Sequence, residues 1–176
     1  MERTKNARSG ENHTYSGIII GCCVYVCQGT DKQARFSLAI RAAQTAVKVG
    51  SEIKIDVTLT DTTGQAFLIA GDAGARGEFE YAVHVEDGNG HEPHETKYLR
   101  ALRREDSGNA GDTTTLVINF SMGFRQAEPG RALKSEIHLD KLYDLPPGSY
   151  TVQVEDADEE SKIIVKSNKL KFTVSP

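Results

Sequence analysis

Tryptophan is absent from the 176 residues, and cysteine occurs only at three positions near the N-terminus. Cys22, Cys23 and Cys27 lie close together, and no second cysteine cluster follows. A structural zinc site usually draws four ligands from two spaced pairs, so these thiols do not match one. A disulfide between the adjacent Cys22 and Cys23 would be strained. Because residues 30–176 contain no cysteine, a domain formed there must fold without a disulfide.

Long apolar runs and strong positive charge are also lacking. No stretch of 18 or more apolar residues occurs, so we expect no transmembrane helix. The net charge of −4 makes the chain mildly acidic. Such a chain repels a phosphate backbone, so a nucleic acid is not the expected partner. The nucleophile motif Gly-x-Ser-x-Gly and the glycine-rich phosphate-binding motifs are absent, so we predict no enzymatic activity and no cofactor.

The first 29 residues have the order of a secretory signal peptide. A polar, slightly basic segment at 1–14 precedes an apolar segment at 16–27, and small residues follow. We therefore predict a leader over 1–29 and a secreted, periplasmic or cell-surface location. Ile19-Ile20-Gly21-Cys22 resembles the lipobox of bacterial lipoproteins, which would make Cys22 a lipidation site. Four apolar positions follow Cys22, whereas the lipobox ends the apolar segment.

Apolar residues alternate with polar residues over most of the remaining chain. A period of two indicates strands with one buried face, which is typical of antiparallel sheets. The alternation predicts an all-β, antiparallel β-sandwich of seven to eight strands over residues 30–176. The predicted strands and short apolar segments lie at 36–42, 53–59, 79–85, 116–122, 137–139, 150–154, 163–165 and 170–174. Residues 97–104 could form two helical turns.

Residues 142–154, Leu-Tyr-Asp-Leu-Pro-Pro-Gly-Ser-Tyr-Thr-Val-Gln-Val, resemble the E–F corner of immunoglobulin-like domains. In that fold a tyrosine near the start of strand F bonds back to the backbone. Tyr150 takes that position, Gly148 belongs to the preceding turn, and Val152 replaces the cysteine. The resemblance implies an immunoglobulin-like antiparallel β-sandwich with Tyr150 and Gly148 as structural residues and with no disulfide.

Residues 47–60 and the same corner also resemble a group of poorly characterised secreted bacterial proteins. The patterns are similar to the domain of the intracellular proteinase inhibitor of Bacillus, which implies protease inhibition through an extended loop at 61–78 or 100–113. The leader, the strands and the missing catalytic motifs instead favour an exported, non-enzymatic binding or interaction module of the cell envelope. Its partner would be a protein or a cell-surface component.

Three of the five histidines fall between residues 84 and 94. Asp87-Gly88-Asn89-Gly90 is a hairpin turn signal, and a hairpin could bring His91 or His94 opposite His84. Two or three imidazoles with a carboxylate could bind zinc or copper. The alternative is a solvated group of side chains around a polar turn.

Two charged segments remain. Arg100, Arg103 and Arg104 form a basic group, and residues 155–160 hold five carboxylates. Both segments are predicted to be solvated loops, with contact to a charged partner as the alternative.

Overall fold

The computed structural model describes residues 33–72, 76–103 and 122–176. All of them belong to the second of the two units into which the chain divides, Lys32–Pro176. The elements of the described residues are β1 (Phe36–Ala42), β2 (Ala46–Lys48), β3 (Lys54–Asp61), β4 (Phe67–Asp72), a 3₁₀ turn (Gly77–Phe79), β5 (Ala82–Asp87), α1 (Lys97–Leu102), β6 (Met122–Ala127), β7 (Ala132–His138), α2 (Leu139–Leu142), β8 (Gly148–Asp158), β9 (Ile163–Lys166) and β10 (Leu170–Ser175). Strands dominate and the helices are short, so the all-β prediction is confirmed. Over these ranges, no helix has the length and apolar character needed to cross a membrane.

One antiparallel sheet has the strand order β1-β3-β7. Ile40 of β1 lies opposite Val57 of β3, and Ile55 of β3 lies opposite Ile137 of β7. The apolar residues of β3 are buried, whereas Asp56 between Ile55 and Val57 is exposed. This burial follows the alternation in the sequence, because successive side chains of a strand point to opposite faces of the sheet.

The other large sheet has the strand order β2-β10-β8-β5, and β9 also pairs with β8. β8 is eleven residues long, so it pairs with β10 through its first half and with β9 through its second half. On its other side β8 pairs with β5 only as far as Glu155, which lies opposite Ala82. The β2–β10 pair is parallel, which is an exception to the predicted antiparallel pairing.

Both sheets contribute to a single hydrophobic cluster. Its members from the first sheet include Leu38, Ile40, Ile55, Val57 and Ile137, and those from the second include Val83, Val85, Val152, Val154, Phe172 and Val174. Tyr150 is buried with them and stacks on Phe172, with 5.4 Å between the ring centroids. Most of the core therefore consists of aliphatic and aromatic side chains from the predicted alternating positions, and Leu99, Leu142 and Tyr143 join it from α1, from α2 and from the residue after α2.

Several predicted elements differ from the structure. The described residues hold ten strands, more than the seven to eight predicted, because β2, β4 and β6 carry weak alternation and were not expected. The strand predicted over 79–85 begins only at Ala82. The chain before it forms the 3₁₀ turn, where Gly77 passes close to β7: an added Cβ would lie 2.5 Å from Cγ1 of Ile137. The predicted strand 116–122 lies outside the described residues except for Met122, which begins β6.

The corner before β8 contains two buried tyrosines. The Tyr150 hydroxyl donates to the carbonyl of Pro146 at 2.6 Å, which is the bond that the resemblance implies. Tyr143, which sequence reasoning did not single out, donates to the buried carbonyl of Val83 at 2.9 Å. Gly148 begins β8, and an added Cβ there would make ordinary contact with the Tyr150 ring at 3.6 Å. The hydroxyl groups therefore fix the corner.

Asn168, between β9 and β10, joins the two sheets at the edge of β1. Its Oδ1 accepts the N–H of Ile40 at 2.9 Å, and its Nδ2 donates to the carbonyl of Ile40 at 3.2 Å. The side-chain amide thus replaces a neighbouring strand and satisfies backbone groups of β1, an edge strand of its sheet. Ser167 beside it accepts the N–H of Val154 at 2.9 Å. This local pairing holds the end of β9 against β8.

Candidate binding groove between β4 and β8

The predicted metal ligands lie in separate surroundings. Asp87 and Gly90 close a turn through a 3.0 Å backbone hydrogen bond, and Gly90 has a φ of 82°. His84 Nε2 lies 3.7 Å from a carboxylate oxygen of Glu155, whereas His91 Nδ1 lies 3.9 Å from one of Asp87. Among the described residues, no three histidine, cysteine, aspartate or glutamate side chains converge on one point that could hold a metal. His94 is exposed. The structure therefore places the three histidines around a polar turn and does not bring them together.

Of the segment 61–78, predicted as an extended loop for protease inhibition, the described residues 61–72 and 76–78 are folded. The carboxylate of Asp61 accepts the N–H groups of Thr63 and Gly64, each at 2.8 Å, and closes a turn. The chain then forms β4 and the 3₁₀ turn. The other candidate loop, 100–113, contains the end of α1 and otherwise lies outside the described residues.

The prediction that residues 155–160 form a solvated loop is wrong for their first part. β8 extends through Asp158, whose side chain is fully buried. The backbone N–H and the Nε–H of Arg35 donate hydrogen bonds to this carboxylate, at 2.9 and 2.8 Å. The Ser161 hydroxyl donates to it at 2.7 Å. Burial alone would raise the pKa of Asp158, but the hydrogen bonds from Arg35 and Ser161 outweigh burial and hold it well below its usual range.

A groove of about 260 Å³ lies between β4 and the second half of β8. The four consecutive residues 68–71 line it from β4. Successive side chains of a strand point to opposite faces of the sheet, so residues from both faces of β4 line the groove. The groove therefore follows an edge of β4. β6 occupies the other edge of β4. On the opposite wall, Asp156 and Ala157 follow the point where pairing with β5 ends. Within the described residues, the groove therefore separates two open strand edges.

Apolar and charged side chains both line the groove, and most of the charges are paired. Phe36, Ile69 and Phe79 are among the apolar lining residues. Glu80 accepts two hydrogen bonds from Nη1 of Arg125, at 2.8 and 3.0 Å. An added Cβ on Gly71 would lie 2.8 Å from Oε1 of Glu80, so the glycine leaves space for this carboxylate beside β4. The ion pair fixes Glu80 at the wall of the groove.

Asp156 is the lining carboxylate without a paired cation among the described residues. The N–H of Ala157 donates to it at 2.8 Å, and the structure gives it no other hydrogen bond. Burial raises its pKa to about 6, and the negative charges of Glu80, Asp158 and Glu159 act in the same direction. At neutral pH the groove therefore holds a partly buried, ionised carboxylate that no cation of the described residues neutralises.

We expect Asp156→Asn to raise the free energy of unfolding at pH 7.5 by about 1–2 kcal/mol. Because folding raises the pKa of Asp156, the protonated carboxyl group favours the folded state. This contribution to stability is fully present below the pKa of the unfolded chain, near 3.9, and is lost as pH rises through the folded-state pKa of about 6. The expected gain in unfolding free energy is smaller than the free energy that corresponds to the whole pKa shift, because the side chain is partly exposed. Urea denaturation at pH 7.5 and pH 4 measures the difference, which should vanish at pH 4. The exposed neighbour Glu159, changed to glutamine, is the control, and a pH-independent gain for Asp156→Asn would contradict the expectation.

The two-stranded ribbon of β4 and β6 exposes apolar side chains next to the groove. Leu68 lies opposite Gln126, and Ala70 lies opposite Phe124, so these four residues share one face. Leu68 is 60% exposed and Phe124 is 75% exposed. On the other face Phe67 packs against the core and stacks on Phe36, with 6.3 Å between the centroids. We call the exposed face the ribbon face.

The groove was not predicted from the sequence. Its large apolar residues come from β1, from β4 and from the 3₁₀ turn, and β4 was not expected because its alternation is weak. Its key carboxylate lies in a run of acidic residues that suggested a solvated loop. A weak signal was available, because the apolar alternation of β8 starts at Tyr150 and leads directly into Asp156 and Asp158. No known family model matches the chain, and no curated protein matches it.

Proposed function

We propose that the protein is an exported, non-enzymatic binding module that holds a segment of a partner protein in the groove between β4 and β8. The observation that carries the proposal is the edge of β4 that no other described strand pairs with, which faces a groove beside the exposed Leu68 and Phe124. In this proposal residues 1–29 act as the leader, and the partner is a protein or a cell-surface component of the envelope.

An immunoglobulin-like β-sandwich is the proposed architecture of the module. Three features support it: the two larger sheets share one core, Tyr150 bonds back to Pro146, and residues 30–176 contain no cysteine. In a sandwich the strands form a rigid support, and binding surfaces lie at edges and loops. The edge of β4 fits this arrangement.

The chemistry of the groove supports binding of extended protein chain. An open strand edge presents unpaired backbone N–H and C=O groups, which a further strand can satisfy. Exposed apolar side chains beside such an edge give the added strand a surface to cover. Leu68 lines the groove and also lies on the ribbon face, so one bound segment can contact both.

A pull-down with the full chain from an envelope extract of the native host tests this function. The groove variant carries Leu68→Ser and Phe124→Ser, which should change stability little because both side chains are exposed. The matched control is Ile164→Ser on β9, a residue that is 62% exposed and does not line the groove. We expect a partner that the wild type and the control retain and the groove variant loses. Equal recovery by all three proteins, or no partner with the wild type, would overturn the proposal.

A further inference from the structure

We infer that the partner segment is an extended basic peptide that adds to the edge of β4 and places a lysine or arginine side chain against Asp156. The inference rests on the function proposed above and names the chemistry of its partner. It follows from the position of Asp156, from the pairing of the surrounding charges, and from the shape of the groove.

The shape of the groove favours an extended chain. A strand added to β4 would lie about 4.8 Å from it, the ordinary spacing within a sheet. Its side chains would point alternately toward the ribbon face and toward the interior of the groove, where Phe36 and Phe79 offer apolar contact. Asp156 lies on the wall opposite β4, so a long side chain of the added strand can cross the groove to it.

The charges around the groove favour a cation at Asp156. The carboxylates that line the groove or pair with its lining residues are Glu80, Asp156, Asp158, Glu159 and Glu160, and the cations that pair with them are Arg35, Arg125 and Lys162. Arg76 lies over the ring of Phe79, 4.4 Å from its centroid. Arg35 pairs with Asp158 and with Glu160, each at 2.8 Å, so these two carboxylates neutralise the charge of its guanidinium. Lys162 pairs with Glu159 at 2.9 Å on the surface.

Asp156 is therefore the carboxylate available to a ligand. A hydrogen bond between two ionised groups is shorter and stronger than one between neutral groups. An ammonium or guanidinium group there would also stabilise a charge that the protein holds at a cost. An acidic segment would instead meet the uncompensated negative charge of Asp156 and the surface carboxylates.

The same site makes binding dependent on pH. Protonation of Asp156 removes the charge that holds the basic side chain, so affinity should fall from pH 7.5 to pH 5. The groups that face or adjoin this carboxylate are Arg35 before β1, Glu80 and Tyr81 before β5, and Asp158 and Glu159 at and after the end of β8, and Arg125 of β6 pairs with Glu80. Arg35, Arg125, Glu80 and Asp158 are held in ion pairs. Tyr81 is neutral throughout this range because burial raises its pKa to about 12.

Selection from a displayed library of random heptapeptides at pH 7.5 tests the inference on the full chain. We expect the wild type to enrich sequences in which lysine or arginine alternates with apolar residues, and Asp156→Asn to lose the preference for a basic residue. The matched control is Asp56→Asn, an exposed carboxylate of β3 outside the groove, which should select the same sequences as the wild type.

A selected peptide then gives a quantitative measure. Replacing its basic residue with norleucine should weaken binding to the wild type about tenfold or more, and should change binding to Asp156→Asn little. Enrichment of peptides without basic residues, or an equal norleucine effect on both proteins, overturns this inference. Neither result touches the pull-down comparison of the groove variant with Ile164→Ser, so failure of the peptide chemistry is distinguishable from failure of the binding function.

Discussion

Replacing Arg35 with methionine will lower the free energy of unfolding by about 3 kcal/mol. The guanidinium and the backbone N–H of Arg35 hold the fully buried carboxylate of Asp158. Methionine keeps the backbone contact but removes the counter-charge, and it leaves a buried carboxylate without its cation. The guanidinium is 22% exposed, which places the expected loss at the lower end of the range for buried ion pairs.

Urea denaturation at pH 7 measures this loss. Arg41→Met is the matched control, because Arg41 lies on β1 with its side chain exposed and should change the free energy by less than about 0.5 kcal/mol. The double variant Arg35→Met with Asp158→Leu should recover much of the stability, since it leaves no buried charge unpaired. A loss in Arg35→Met no larger than the loss in Arg41→Met would show that the ion pair does not stabilise the fold.

The same pair sets a response to acid. The pKa of Asp158 is lowered in the folded state, so its contribution is present above the unfolded value near 3.9 and is lost as pH falls through the folded value. The wild type should therefore lose stability steeply below about pH 4. The contribution of Asp156 to stability instead falls as pH rises, between about pH 4 and 6. The two carboxylates therefore affect stability in separate pH ranges.

The second large effect concerns Tyr143, for which Tyr143→Phe will cost about 2 kcal/mol of unfolding free energy. The hydroxyl donates to the carbonyl of Val83 in β5, and Oε1 of Glu92 lies 3.1 Å from the same hydroxyl. The Tyr143–Val83 bond is buried, so water cannot replace the donor when the hydroxyl is removed. Burial and the charge of Glu92 raise the pKa of Tyr143, so the hydroxyl stays protonated at physiological pH.

Tyr150→Phe provides the matched comparison. Its hydroxyl donates to the carbonyl of Pro146, an exposed residue, so water can hydrate the acceptor and the cost should be about 1 kcal/mol. Thermal or urea denaturation of both variants gives the comparison. If Tyr150→Phe costs as much as Tyr143→Phe, the exposure of the acceptor carbonyl does not set the cost of losing the hydroxyl.

Where one strand face is buried, the sequence predicted the position of the strands well. The ends of β1, β3, β8 and β10 were predicted within two residues, except for the C-terminal end of β8. The prediction succeeded there because alternation with period two directly reflects burial on one face of a strand. The corner at Tyr150 was recognised from its local residue pattern, and its hydrogen bond spans only four residues. Local chemistry of this kind is visible in a sequence.

Long-range partners were not visible. Arg35 and Asp158 are 123 residues apart, and an isolated arginine before a strand gives no sign of a distant carboxylate. Asp156 and Asp158 stand two residues apart in one acidic run, yet Asp158 is paired with Arg35 while Asp156 faces the groove. Their difference arises from what other strands place beside them.

The sequence by itself determined the all-β class, most of the core positions and the Tyr150 corner, because each follows from residues that are close along the chain. Only the tertiary structure decided which carboxylate is neutralised and which edge of β4 has no strand beside it among the described residues. Those features depend on strands that meet across the fold, where burial and the arrival of a counter-charge decide whether the same residue type stabilises the core or remains available to a ligand.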